Sequence, residues 1–270
     1  MNILGRQLSS ILRRIRLLPT ADYLRYLLLR FKHQSKNVAF QKKHPDIKLP
    51  PDYLMYESFQ LDYQKYFEGG RKTAQWIWEC VQPHINPSPT LKVLEWGCGP
   101  GRIIRHFPAI LGDEAVIKGT DYNAQSIAWC TQNIPEVEFT TNQLAPPLPY
   151  PSASFDLAYA ISIFTHLSEK MHTEWMQEIL RVLQPRGIFF FTTQGNHFLT
   201  KLTKEERQAY LGGQLITRSK VKEGHRTFSA FHPPAFIQTL IHDQILIEHF
   251  TPHPEPNKAL PQDVWMIQKR

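Results

Sequence analysis

Apolar side chains recur at helical spacing from the start of the chain: Leu4, Leu8, Ile11, Leu12, Ile15 and Leu18, with Arg6, Arg13, Arg14 and Arg16 set mostly off that stripe. The pattern predicts an amphipathic basic helix over residues 3–18, stopped near Pro19, whose ring and missing N–H oppose continuation. A second helix is expected over 22–33, with Thr20 available as its cap. Residues 35–51 are polar and basic and end in Pro50-Pro51, which reads as a linker. A tyrosine-rich stretch over 53–66 follows. A helix is then expected over 71–81, with Ala74, Ile77, Trp78 and Val81 on one face and Pro83, Pro87 and Pro89 beyond it.

From Leu91 the period changes. Short apolar runs predict strands over 92–96, 115–120, 137–140, 155–161, 187–193, 244–251 and 264–268. Helical spacing predicts helices over 102–111, 124–133, 169–183 and 234–242. Strands alternating with helices imply an α/β protein, a mostly parallel, doubly wound sheet covered on both faces. The expected organisation is a helical N-terminal extension or cap over 1–70 and an α/β domain over 71–270. A long connection over 196–233 is expected to serve as a lid or binding insertion.

The chemistry concentrates after the first strand of this unit. Val93-Leu94-Glu95-Trp96 runs into Gly97-Cys98-Gly99-Pro100-Gly101. Glycines are needed where backbone bends with positive φ or lies against a ligand. A sheet of this kind binds ligands at the carboxyl ends of its strands. The loop alone therefore indicates a nucleotide-like ligand. The dinucleotide fingerprint is GxGxxG, whereas here Arg102 stands at the third glycine position. Glu95, two residues before the first glycine, would be unfavourable beside a pyrophosphate but suits a cofactor carrying an ammonium and a sulfonium. Asp121 closes the next strand about 20 residues on, where an acid accepts hydrogen bonds from ribose hydroxyls.

Glu95–Gly101, Asp121, the run from Leu148 to Leu157 and the run Leu180-Arg181-Val182-Leu183-Gln184-Pro185-Arg186-Gly187 together resemble the successive motifs of class I S-adenosylmethionine-dependent methyltransferases, most closely the methyltransferase domain type 11/12 group. The resemblance covers residues 70–195 well and the closing strands more weakly. It implies a seven-stranded Rossmann-like sheet with an antiparallel last strand, and S-adenosyl-L-methionine as cofactor. It implies that Gly97, Gly99 and Gly101 pass under the methionine and ribose, that Glu95 orients the methionine end, that Asp121 binds the ribose diol and that Tyr122 packs on adenine. Asn142-Gln143 departs from the acid and small residue usual there, although an Asn oxygen can still accept from the adenine amino group. Ile161 opens the segment Ile161–His166, which in the family faces the methyl group and acceptor.

His166 is the first candidate for a general base, since an unperturbed imidazole titrates near 6.5; a structural histidine is the competing reading. His232 is the second candidate. Arg71 is expected to reach the cofactor carboxylate. Cys98 reads as a small buried turn residue, and no metal site is expected. The segment after strand four lacks the Asn/Asp-Pro-Pro-aromatic signature of nucleic-acid amino methylases. A small-molecule, glycan or lipid acceptor is therefore preferred over nucleic acid, and oxygen is the expected atom of methylation. The competing classes are a non-catalytic scaffold that keeps the cofactor fold and a NAD-dependent oxidoreductase, the latter disfavoured by GxGxG and Glu95.

Composition adds one asymmetry. The 270 residues are 42% hydrophobic and 20% charged, which suits a globular chain with no apolar run long enough to cross a bilayer. The net charge of +7 is uneven: residues 1–48 hold eleven basic and two acidic side chains, net +9, and the rest is close to neutral at −2. A basic amphipathic helix over 3–18 can dock peripherally on a membrane surface or mediate oligomerisation. Three cysteines with no CxxC spacing, and no signal-peptide pattern, make the cytoplasm the expected compartment.

Overall fold

The computed structural model describes residues 18–86, 88–218, 221–255 and 259–270. Most of the expected 3–18 helix lies outside them. The first element is α1 (Leu18–Lys43), followed by α2 (Asp52–Ser58) and α3 (Tyr63–Val81). The expected linker over 35–51 is thus largely helix. Few apolar residues advertise it, but Tyr26, Asn37 and Phe40 line one face and are buried. Asn37 ties α1 to the chain beyond it, donating to the Leu61 carbonyl (2.9 Å) and accepting from the Tyr63 amide (3.0 Å). Tertiary contacts override a weak local signal here. α3 starts earlier than expected, capped by Asp62, whose carboxylate accepts from Lys65 N. The expected division at residue 70 therefore falls inside a helix.

The sheet follows the α/β reading. Its strands are β1 (Lys92–Trp96), β2 (Val116–Asp121), β3 (Glu138–Thr141), β4 (Phe155–Ala160), β5 (Leu183–Thr193), β8 (Ile245–Phe250) and β9 (Asp263–Gln268), in the order β3-β2-β1-β4-β5-β9-β8. β9 is antiparallel to β5 and β8, and the described pairings among β1 to β5 are parallel. The strand order reverses between β1 and β4, and the crevice there opens at their carboxyl ends.

Strand alternation divides the core. Val93, Leu157, Tyr159, Ile188 and Phe190 face α3, α4 (Phe107–Leu111) and α5 (Ala124–Asn133). Leu94, Ala158, Phe189, Phe191 and Trp265 face α6 (Glu169–Val182) and α8 (Pro234–Leu240). The helix expected over 102–111 is broken. Ile104 N donates to the Glu95 side chain (3.0 Å) instead of to a helical carbonyl, a 3-10 turn spans Ile104–His106, and α4 starts only at Phe107 with Pro108 in its first turn.

The 196–233 insertion has its own small core of Phe198, Leu202, Tyr210 and Phe231. It contains α7 (Lys204–Leu211), begun by a capping box of Thr203 and Glu206, and the antiparallel pair β6 (Ile216–Arg218) and β7 (Ser229–Phe231). A second small cluster, Tyr26, Met55, Tyr56, Leu61 and Tyr66, joins α1, α2 and α3. Tyr66 fastens that cluster to the glycine loop through a bond from its hydroxyl to the Pro100 carbonyl (2.9 Å).

Candidate active site

The glycine loop leaves β1 in a turn that only glycine accommodates. Gly97 has φ +76°, and a Cβ there would lie 2.1 Å from Ile163 Cδ1. The amides of Gly97 and Cys98 donate to the Thr120 carbonyl on β2, so the loop folds over the neighbouring strand end. Asp121, at that end, is buried. One carboxylate oxygen accepts from Gly99 N and the other from Asn123 N, both at 2.8 Å. Burial raises its pKa and the two amides oppose the rise. Each oxygen retains a lone pair for a ligand hydroxyl.

Glu95 lies beneath the loop. Its Oε2 accepts from Ile104 N and from the Tyr159 hydroxyl, each at 3.0 Å. Burial pushes its pKa up to about 8, against the Tyr159 bond and the nearby Arg102 charge. Glu95 thus shapes the loop from below.

A cleft of two adjoining parts runs across the carboxyl ends of β1, β2 and β4. Gly97, Asp121, Tyr122, Ile163, His166 and Gly224 border both parts. Asn142 and Gln143 line one part, beside Leu144 and Trp175. Asn142 is held there by Thr120 Oγ1, which donates to its Oδ1 (2.8 Å), and by its own amide bond to the Gln143 carbonyl. Gly99 and Ile161 line the other part, which opens to solvent and is walled by Leu54, Glu57 and Ser58 of α2 and by His225 and Arg226 of the insertion.

Eight sequence-derived candidates therefore converge on the cleft: Gly97, Gly99, Asp121, Tyr122, Asn142, Gln143, Ile161 and His166. Gly101 sits behind it, turned towards Ile134 and Cys130. Two candidates require correction. Arg71 is exposed on α3 and borders neither part of the cleft. His232 is buried and paired with His172, Nε2 to Nε2, at 2.8 Å. His172 Nδ1 donates to the Ser168 carbonyl, so its Nε2 is the acceptor and His232 Nε2 the donor. Burial holds both imidazoles below their ordinary pKa, and both are neutral core groups away from the cleft.

His166 differs. Its Nδ1 lies 3.0 Å from the Phe228 carbonyl, which can only accept, so Nδ1 carries the proton. Burial lowers its pKa, against the Phe228 bond. The ring is neutral at pH 7, Nε2 carries its lone pair, and the residue borders the cleft. Before it, Ser162 adopts φ +66°, a left-handed conformation costly for a non-glycine residue. Three bonds hold it: Ser162 N donates to Thr192 Oγ1, and the hydroxyls of Ser162 and Thr192 both reach Gln262 Oε1.

The insertion roofs the cleft. Gly224 N donates to the His166 carbonyl and Gly224 O accepts from the Tyr122 hydroxyl. Arg226 lies 3.9 Å from the Tyr56 ring centroid and 3.6 Å from Asp22 Oδ1, while His225 Nε2 is 3.9 Å from Glu57 Oε1. These contacts join residues more than 160 positions apart, which no local pattern reveals. Arg226→Ala removes a partly desolvated cation–π contact worth about 1–2 kcal/mol. The expected result is a roughly tenfold faster release of S-adenosylhomocysteine in stopped-flow displacement, with the melting temperature lowered by about 2–8 °C. An unaltered release rate would show that the roof is not held by this contact.

Residues 93–187 match the methyltransferase domain family. Solved structures share the fold. One is a S-adenosylmethionine-dependent methyltransferase from Methanosarcina mazei, at 17% identity and TM-score 0.53 over 70% of this chain and 96% of that one. Another is the Burkholderia thailandensis 1,6-didemethyltoxoflavin N1-methyltransferase with its substrate and S-adenosylhomocysteine bound, at 15% and 0.51 over 77% and 84%. A third is the Streptomyces coelicolor geranyl diphosphate C-methyltransferase in complex with Mg2+, geranyl diphosphate and S-adenosylhomocysteine, at 9% and 0.52 over 74% and 82%. The family match over residues 93–187, the strand order and the glycine loop all support a class I S-adenosylmethionine-dependent methyltransferase. Residues 93–187 thus form a methyltransferase domain, and the cofactor that such a domain uses is S-adenosylmethionine.

Proposed function

We propose that the chain methylates an oxygen atom of a small-molecule, glycan or lipid acceptor, with His166 as general base. The observation that carries this reading is the setting of His166: Nδ1 is committed to the Phe228 carbonyl, which leaves the lone pair on Nε2, and the residue borders the cleft. The cofactor supplies a methyl group already activated on sulfonium, so the protein's tasks are positioning, water exclusion and proton removal. Asp121 would hold the ribose diol and the Gly97–Gly99 backbone would bear the methionine portion. Asn142 and Gln143 would border the adenine, with Tyr122 against its ring. A hydroxyl acceptor must lose a proton as its oxygen attacks; His166 Nε2 takes it and Phe228 stabilises the imidazolium. A nitrogen or carbon acceptor is the second reading, and the fold itself hosts both among its structural relatives.

An acceptor panel of glycans, lipids and phenols, followed by S-adenosylhomocysteine release, tests the proposal. With a hydroxyl acceptor, His166→Ala should lower kcat by about 10²–10⁴ while S-adenosylhomocysteine affinity holds within about threefold. Because burial lowers the His166 pKa, activity of the native protein should fall only below about pH 6.5, as the base becomes protonated. An undiminished kcat in His166→Ala would sink the assignment, and turnover confined to amines or carbon acceptors would establish the second reading.

A further inference from the structure

Among the described residues, α1 buries one face and leaves another uncovered. Tyr26, Asn37 and Phe40 point into the protein. Leu24, Leu28, Phe31 and Val38 follow at i, i+4, i+7 and i+14, and are 56%, 71%, 81% and 49% exposed. At about 100° per residue these four fall on one stripe, about 21 Å long at 1.5 Å per residue. Monomeric soluble proteins scatter exposed apolar residues; a continuous row of large ones marks an interaction surface.

The charges around the stripe identify what it meets. Arg25, Lys32 and Lys36 are exposed along one flank, and Lys42 and Lys43 end the helix. The one acid on α1, Asp22, is turned inward: it accepts from the Tyr56 hydroxyl (2.8 Å) and faces Arg226. Asp52 borders the stripe beside Phe31 and Val38, where its charge is paired with Arg30 (2.9 Å), and residues 1–48 carry net +9. A second copy would bring the same positive charge against it. A nucleic acid would satisfy the basic flank but leave Leu28 and Phe31 in water. An anionic bilayer surface satisfies both, since its headgroup region takes Lys and Arg while Leu and Phe enter the acyl boundary.

We propose that α1 docks the protein peripherally on anionic lipid through Leu24, Leu28, Phe31 and Val38, flanked by Arg25, Lys32 and Lys36. Among the described residues no helix is long and apolar enough to cross a membrane, so the contact is one of lying on the surface. The docking helix also adjoins the cleft, because Asp22 at its N-terminal end meets Arg226, which lines the cleft wall. The inference is independent of the acceptor and of His166.

Co-sedimentation of the full-length protein with vesicles tests it. Phosphatidylcholine–phosphatidylglycerol vesicles should bind the protein, and phosphatidylcholine vesicles should bind it at least about tenfold less. Leu28→Glu/Phe31→Glu should lower the partition coefficient for the anionic vesicles about 100-fold, and Lys32→Ala about fivefold. Removing residues 2–17 should leave binding that still depends on Leu28 and Phe31. S-adenosylhomocysteine affinity and melting temperature should stay unchanged in the double variant, which controls for folding. Absence of binding to the anionic vesicles, or a double variant that binds as the native chain does, would overturn the proposal. So would a dimer in sedimentation velocity that the double variant converts to monomer without any vesicle binding.

Discussion

Asp121→Ala is expected to weaken S-adenosylhomocysteine binding by on the order of 100-fold in calorimetry. The carboxylate offers a lone pair from each oxygen at the floor of the cleft, and charge-assisted hydrogen bonds are worth about 1.5–3 kcal/mol each. Losing a diol clamp then costs about 2.7 kcal/mol, or two decades in affinity. The same change strips the Gly99 and Asn123 amides of their acceptor. Some of the loss therefore comes from a loosened glycine loop and from the start of α5, which Asn123 caps. Asp121→Asn separates the two contributions, because its amide oxygen can still accept one backbone bond. The asparagine variant should bind between the native protein and the alanine variant. Affinity within threefold of native for Asp121→Ala would remove this residue from the ribose role.

The second large effect is expected at Gly70, where local propensity and packing point in opposite directions. Gly69 and Gly70 are adjacent in α3, and alanine is favoured over glycine in a helix by about 1 kcal/mol. At Gly69 a Cβ would meet nothing within 4 Å. At Gly70 it would lie 2.0 Å from the Arg102 carbonyl oxygen. That atom belongs to the backbone just beyond the glycine loop and cannot swing aside like a side chain. Overpacking costs about 1–3 kcal/mol, more when backbone must shift, so sterics outweigh propensity. Gly70→Ala should lower the melting temperature by about 4–8 °C and weaken S-adenosylhomocysteine binding, because α3 is pushed off the loop. Gly69→Ala should be neutral or slightly stabilising. Equal melting temperatures for the two variants would refute the packing account.

How much of this was legible before the structure depends on how local the cause is. β1, its glycine turn and Asp121 are set by contiguous residues, and they were readable: Gly97 answers a backbone demand and Asp121 closes the strand beside it. The Phe189 and Phe191 alternation belongs to a buried strand whose apolar run announces itself. α1 beyond His33 was not readable, since its anchors are Asn37 and Phe40 in an otherwise polar run, and an asparagine bridging to Leu61 and Tyr63 leaves no periodic trace. The break at Ile104 was hidden for the same reason, as it follows from a bond to the Glu95 side chain. His232 misled because its position near the insertion resembles a lid residue's, while its partner His172 lies 60 positions away on α6. Arg71 misled by charge alone: α3 turns it to solvent. The walls built from Glu57, His225 and Arg226 arise only when the two ends of the chain meet over the sheet.

α3 carries a consequence for how the chain can be taken apart. Its first turns, through Tyr66, belong to the cluster shared with α1 and α2, and its last turns, through Ala74, Ile77 and Val81, pack on the sheet. One rigid rod therefore serves two cores. The N-terminal region is no detachable module on a self-sufficient catalytic unit: trimming at residue 70 would sever a helix mid-length and take away the Tyr66 tether on Pro100, the α2 wall and the seat of Arg226 at Tyr56. A minimal active fragment, or a chimera that swaps the extension between relatives, has to keep the chain intact from α1 onward.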